Sequence, residues 1–100
     1  MYARVSTFEG PPEWVEDGVR LAREVIVPAA RLQDGFCGIY ILVDRESGRS
    51  LCVTLWETEE DLRASEEAVV RAKAESVQVA GASVASTERY EVALNELVSA

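Results

Sequence analysis

The chain has 100 residues, 48% of them hydrophobic, with 18 acidic against 10 basic side chains and a formal charge of −8. At that length a single compact core is expected, burying about 60–70% of the surface of the unfolded chain. An acidic surface without a clustered Lys/Arg stripe is repelled by phosphate backbones, which argues against nucleic acid and anionic membranes as partners.

No apolar run approaches the roughly 20 residues of a bilayer span. The opening segment, Met1-Tyr2-Ala3-Arg4-Val5, has no basic stretch feeding an apolar one, so no signal peptide is expected and a cytoplasmic location is. The chain contains no histidine, the commonest metal ligand and the commonest base near neutral pH, so neither a metal nor another cofactor is expected. Its two cysteines, Cys37 and Cys52, are too few for a disulfide scaffold and are read as small packing residues.

In chain order, residues 2–8 alternate and are rich in β-formers, predicting a first strand. Glu9-Gly10-Pro11-Pro12 breaks it, and proline in a first turn with Glu13 beside it suits a helix start. Trp14, Gly18, Leu21 and Val25 then form one stripe, with Val15, Val19, Ala22 and Ile26 beside it, an amphipathic face at helical spacing. Pro28 is expected to end or kink this helix, and Asp34-Gly35 to complete the stop.

Residues 36–43 predict a second strand, 44–49 a polar turn containing Gly48, and 50–57 a third strand, so that the pair forms a hairpin. Thr58 followed by Glu59, Glu60 and Asp61 has the form of a capping box. The helix it opens continues through Leu62, Ala68, Val69, Ala72 and Ser76 or Val77, and Gly81 closes it. Residues 83–94 alternate as a fourth strand, with Val84, Ser86, Glu88, Tyr90 and Val92 on one side, and a short tail follows from Asn95 to the end. The order β-α-β-β-α-β with right-handed crossovers predicts an α+β, ferredoxin-like domain over residues 1–100: a four-stranded antiparallel sheet with two helices on one face.

The hairpin carries a further implication. With a loop over residues 44–49, Val43 faces Ser50, Ile41 faces Cys52, Ile39 faces Thr54 and Cys37 faces Trp56, while Phe36, Gly38, Tyr40 and Leu42 share the other face with Leu51, Val53 and Leu55. Both faces are apolar, whereas a half-exposed antiparallel sheet alternates with polar residues. Two helices cover one face only, so a second copy of the chain packed on the other, a homodimer through the sheet, is expected. The cysteines are out of register by four residues, and no disulfide between them is expected.

Within this order of elements, Gly35-Phe36 opening the second strand, Thr54-Leu55-Trp56-Glu57-Thr58 closing the third and Glu88-Arg89-Tyr90-Glu91-Val92 in the fourth resemble the antibiotic biosynthesis monooxygenase-like domains of the dimeric α/β-barrel superfamily. The likeness runs over nearly the whole chain and rests on the order and spacing of segments. It implies two sheets packed face to face across a dimer and a site in a cavity between sheet and helices. The activities it implies range from cofactor-independent, quinone-forming monooxygenation to haem degradation and small-molecule isomerisation, beside members with no assigned activity. Trp56 falls where the third-strand tryptophan of the enzymatic members sits. The haem-degrading branch also uses a histidine on the second helix and an asparagine on the first strand. Those positions fall near Glu66 and Ala3 here, and a carboxylate substitutes poorly for an axial imidazole, so haem degradation is not expected.

Each candidate site residue has a functional and a structural reading. Trp56 would wall a pocket for an aromatic ligand or act on it, or anchor the third strand in the core. Arg89, flanked by Glu88 and Glu91, would hold a phenolate or enolate as a catalytic residue, or form a surface ion pair. Tyr90, like Tyr40, would donate a hydrogen bond to a ligand oxygen or lie at an interface rim. Gly18, Ala22, Ala68 and Ala72 would leave room for a ligand, or allow close packing of helix on sheet. Two functions follow: an oxygenase acting on a small aromatic or polyketide-like molecule, and a non-catalytic dimeric binding module.

Overall fold

The computed structural model describes the backbone of residues 1–79 and 81–98, and the side chains of all of these except 70, 74 and 76–79. Four strands, β1 (Tyr2–Glu9), β2 (Phe36–Val43), β3 (Ser50–Trp56) and β4 (Ser83–Glu91), form one antiparallel sheet in the order β2-β3-β1-β4. This is the expected ferredoxin-like arrangement, with the helices following β1 and β3. The expected contribution of Ser76 or Val77 to the second helix's face lies outside the described side chains, and the tail is described as far as Val98.

The hairpin register agrees with alternation at Ile39, Ile41 and Val43, which pair with Thr54, Cys52 and Ser50. It departs at the open end. Phe36, not Cys37, pairs with Trp56, because a bulge between Phe36 and Gly38 inserts one residue. Phe36 therefore turns toward the helices and meets the Trp56 ring at 5.4 Å. Cys37, expected as a packing residue, is exposed instead, while Cys52 is fully buried, and both are free thiols.

A second irregularity opposite Thr7 and Phe8 pairs Val84 with Phe8, so Val84 leaves the face of Ser86, Glu88 and Tyr90 on which it was expected. β4 ends three residues sooner than expected because its partner runs out. Tyr2 pairs with Glu91, and one more bond, from the Val92 N–H to the Met1 carbonyl at 2.9 Å, closes the ladder.

The first helix begins as a 3-10 turn, Pro12–Trp14, and continues as Val15–Leu21, a π-helical turn Ala22–Ile26, and Val27–Arg31. Pro28 does not end it. Proline lacks an N–H and its ring crowds the carbonyl four residues back, and the wider turn just before it, in which the Val27 N–H reaches the Ala22 carbonyl, accommodates both defects. The second helix, Glu59–Val79, starts as expected, with the Thr58 hydroxyl accepting the Asp61 N–H at 3.0 Å. Among the described residues, no helix is long and apolar enough to cross a membrane.

Candidate functional site

The space between helices and sheet divides into three parts. At one end lie Phe8, Trp14, Val15 and Cys52, with Ile39, Ile41, Val43 and Ala82 against them; at the other lie Ala30, Trp56, Leu62 and Val69, with Tyr2 and Phe36. Between them the sheet presents polar groups to the helices. On β1 these are Arg4 and Ser6, whose partners across the ladders are Thr54 and Cys52 on β3 and Arg89 and Thr87 on β4. Ser65, Glu66 and Lys73 approach the same row from the second helix. The carriers of this row are oriented by alternation alone: one face of β1 reads Tyr2, Arg4, Ser6, Phe8 and the other Ala3, Val5, Thr7, and the first of these faces the helices.

Arg4 is fully buried. Its Nη2 donates to the Leu62 carbonyl at 2.6 Å and to the Ser65 hydroxyl at 3.1 Å, and its guanidinium lies 5.7 Å from the centre of the Trp56 ring. Lys73, the chain's sole lysine, is 1% exposed, with its Nζ 3.4 Å from the Ser6 hydroxyl and the Cys52 thiol close enough to act on its charge. Burial holds the Arg4 guanidinium and the Lys73 ammonium below their ordinary values and pushes the Cys52 thiol up. Glu66 pairs with Arg89, and that hydrogen bond holds its carboxyl below the usual range.

The expected site residues fall in different places. Gly18 and Ala22 come together at a small apolar cavity of about 20 Å³, lined also by Phe8, Trp14, Ile26 and Ile41. A Cβ on Gly18 would lie 2.3 Å from Trp14 Cζ3, so this glycine is the seat of the indole ring. The π turn supplies Ala22 and Ile26 to the same wall. Arg89 and Tyr90 line a second, open space of about 160 Å³ with Tyr2, Leu62 and Arg63. Tyr90 belongs to the outer face of the sheet, is 51% exposed, and donates to Glu88 at 2.6 Å, which raises its phenol above the ordinary value. Trp56 lines neither space: it is fully buried, and its indole N–H donates to the Thr54 hydroxyl at 3.0 Å. Ala72 is half-buried on the second helix.

Sequence reasoning passed over Trp14, Arg4 and Lys73 as site residues. Trp14 falls only on a helix stripe in the sequence, and Arg4 sits in a strand whose more apolar side is the outer one. The signal available for Lys73 was its being the sole lysine of an arginine-using chain. Among the described residues no group of three His, Cys, Asp or Glu could hold a metal ion.

No family model matches the chain. It is 41% identical over 96 residues to the uncharacterized protein Rv2558 of Mycobacterium tuberculosis, a match covering 94% of this chain and 39% of that protein. It is 36% identical over 93 residues to Rv2557 of the same organism, covering 93% and 41%. The chain thus spans about two fifths of the length of the curated relatives it matches. Among solved structures it is similar to SnoaB, a cofactor-independent oxygenase from Streptomyces nogalater, with a TM-score of 0.70, 12% identity and 94% of each chain covered. It is also similar to a candidate antibiotic biosynthesis monooxygenase from Nitrosomonas europaea, with a TM-score of 0.69, 16% identity, and 94% of this chain and all of that one covered. MupZ from Pseudomonas fluorescens follows at 0.68 and 14%, covering 88% and 69%. At these identities the likeness is one of fold, and the fold is that of the antibiotic biosynthesis monooxygenase-like domains.

Proposed function

We propose that this domain binds a small aromatic or polyketide-like molecule between the first helix and the sheet, and oxidises it with molecular oxygen without a cofactor. The observation that carries the reading is the apolar cavity against Trp14, made by the small residues Gly18 and Ala22 and bordered by a π turn. At about 20 Å³ the cavity has room for a water-sized group, so the reading requires the turn to open for a ring to enter. Such turns recur at functional sites because an extra residue leaves the helix wall with alternative hydrogen bonds. The shared fold with a cofactor-independent oxygenase supports the reaction class. In such a reaction an electron-rich substrate anion passes electrons to oxygen in a dry pocket. A ring CH2 becomes C=O, one oxygen atom enters the product and the other leaves as water, so no external reductant is consumed. The protein supplies desolvation and positioning. Arg89 and Trp56 remain proposed contributors, Arg89 from the open groove and Trp56 through its contact with Arg4.

The reading includes a homodimer. The face of the sheet turned from the helices carries Val5, Tyr40, Leu42, Leu51, Val53 and Leu55, of which Tyr40 and Leu42 are 44% and 50% exposed in one chain. A second copy laid on this face would remove it from water.

The test is oxygen uptake with hydroxylated anthrones and naphthols, read beside the quinone absorbance. Stoichiometric uptake that is lost on filling the cavity supports an oxygenase. Saturable binding of the same phenols without uptake replaces it by the second reading, a non-catalytic binding module, which the sealed position of Trp56 favours. Absence of binding overturns both.

A further inference from the structure

Arg4 and Lys73 place two cationic side chains in the middle of the interior. Ser6 follows Arg4 by two residues on the same face of β1, about 6–7 Å along the strand, and the Lys73 ammonium lies 3.4 Å from the Ser6 hydroxyl. Arg4 commits one nitrogen to Leu62 and Ser65. Among the described residues, its Nε and Nη1 are buried without a hydrogen-bond partner. The Cδ carbon lies between these two nitrogens, so they are two separate buried donors, each able to reach a different acceptor oxygen.

Charge compensation is short at the same place. Glu66 is the carboxylate whose charge reaches Arg4, and it is hydrogen-bonded to Arg89. The groups acting on Lys73 are the Cys52 thiol, itself held protonated by burial, and Arg4, a like charge. Buried charges without counter-charges are costly, and an unsatisfied buried donor adds to that cost. Thr54 and Ser6 place hydroxyls beside Arg4 on the same face of the sheet, and Cys52, opposite Ser6, belongs to the cluster of Phe8 and Trp14.

We propose that Arg4 and Lys73 form a buried site for the carboxylate of a small organic acid, whose apolar body extends past Cys52 toward Phe8 and Trp14. The direction of the body rests on the proposed function; the carboxylate site does not. A carboxylate oxygen would accept from one of the unpartnered Arg4 N–H groups, and Lys73 would neutralise the charge from the helix side.

Because the chain has one lysine, protein labelled with carbon-13 at lysine Cε gives one side-chain resonance, and its pH titration reads the charge on Lys73 directly. Benzoate, acetate, benzamide and chloride are added in turn at equal ionic strength. Benzoate is expected to raise the titration midpoint saturably by about one pH unit, a tenfold preference for the ammonium form, and benzamide to leave it unmoved. Acetate acting as strongly as benzoate keeps the carboxylate site and removes the apolar body from the proposal. Benzamide and benzoate quenching tryptophan fluorescence alike, with the lysine midpoint fixed, keeps the aromatic pocket and overturns the carboxylate site. An equal response to chloride, or none to either acid, overturns it as well. Arg4→Met is expected to abolish the benzoate shift of the lysine midpoint, and Lys73→Met, which has no lysine to report, to abolish benzoate quenching of tryptophan fluorescence, each while keeping the native circular dichroism; the wild-type titration decides by itself if either variant fails to fold.

Discussion

The indole Nε1 of Trp14 donates a 2.6 Å hydrogen bond to the carbonyl of Gly48, tying the start of the first helix to the turn between β2 and β3. Gly48 is buried at φ +81°, and a Cβ there would lie 2.3 Å from the Gly10 carbonyl oxygen. The turn and the break after β1 are thus packed backbone to backbone, and the same contact fixes the ring that walls the apolar cavity. Gly48→Ala combines a left-handed backbone, about 1–2 kcal/mol for an L-residue, with a clash against main chain. It is expected to lower the thermal midpoint by more than Trp14→Phe, which strands one buried carbonyl at about 1–3 kcal/mol. Thermal unfolding followed by circular dichroism ranks the two; the reverse ranking would mean that the loop shifts freely and the contact is incidental.

The cavity has its own test. Ala22 is 4% exposed at its wall, so Ala22→Val adds apolar atoms where a ligand would enter. Stability is expected to fall by about 1–3 kcal/mol, as for carbons added to a packed core. Quenching of tryptophan fluorescence by hydroxynaphthols is expected to be lost. Retained quenching with unchanged affinity would locate the binding space elsewhere, with the groove of Arg89 and Tyr90 the next to test.

How far these features were legible in the chain depends on whether a residue's two possible environments differ. In the hairpin, loop length and alternation set the pairing of Ile39, Ile41 and Val43, and the structure keeps it. The bulge at Cys37 left no trace because both faces of β2 are apolar, so slipping Phe36 from one to the other changes no hydrophobic count. On β1, alternation separates Arg4 and Ser6 from Ala3, Val5 and Thr7, but polarity names the wrong side as interior. Arg4 faces the helices because Leu62 and Ser65 supply acceptors there, a long-range pairing across 58 residues that no local pattern encodes. The capping box at Thr58 was legible because its partners lie three residues apart. Trp56 was legible as a core anchor and as a family position, two readings that place the residue identically.

The outer face gives a prediction about assembly. Val53 pairs with Val5 on one side and Tyr40 on the other, at the centre of the face assigned to a second copy. Val53→Glu places a charge where an interface would desolvate it, while in one isolated chain the residue is only half-buried. A native mass spectrum of the wild type is expected at the mass of two 11.0 kDa chains, and of the variant at one, with the native circular dichroism kept. A wild type that flies as a single chain at micromolar concentration would sink the dimer and leave the apolar face to another partner.

The buried lysine gives a dependence on pH whose sign can be worked out. Burial lowers the folded value for Lys73 from an ordinary 10.5, so between the two values the unfolded chain binds more protons than the folded one. Stability in ligand-free buffer therefore rises with pH across that window and is flat below the folded value. Cys52 acts in the opposite sense above 9.0, since its thiol is raised and the unfolded chain loses that proton first. The rise due to the lysine is accordingly read below about pH 9, as the difference between wild type and Lys73→Met in urea. The variant keeps a side chain of similar shape, removes the buried charge, and is expected to be more stable than the wild type near pH 7 by about 1–4 kcal/mol. The gap is expected to narrow as pH rises through the folded value. A variant less stable than the wild type at every pH would show that the ammonium is compensated inside the fold, and that Arg4 and Lys73 do not share an uncompensated charge.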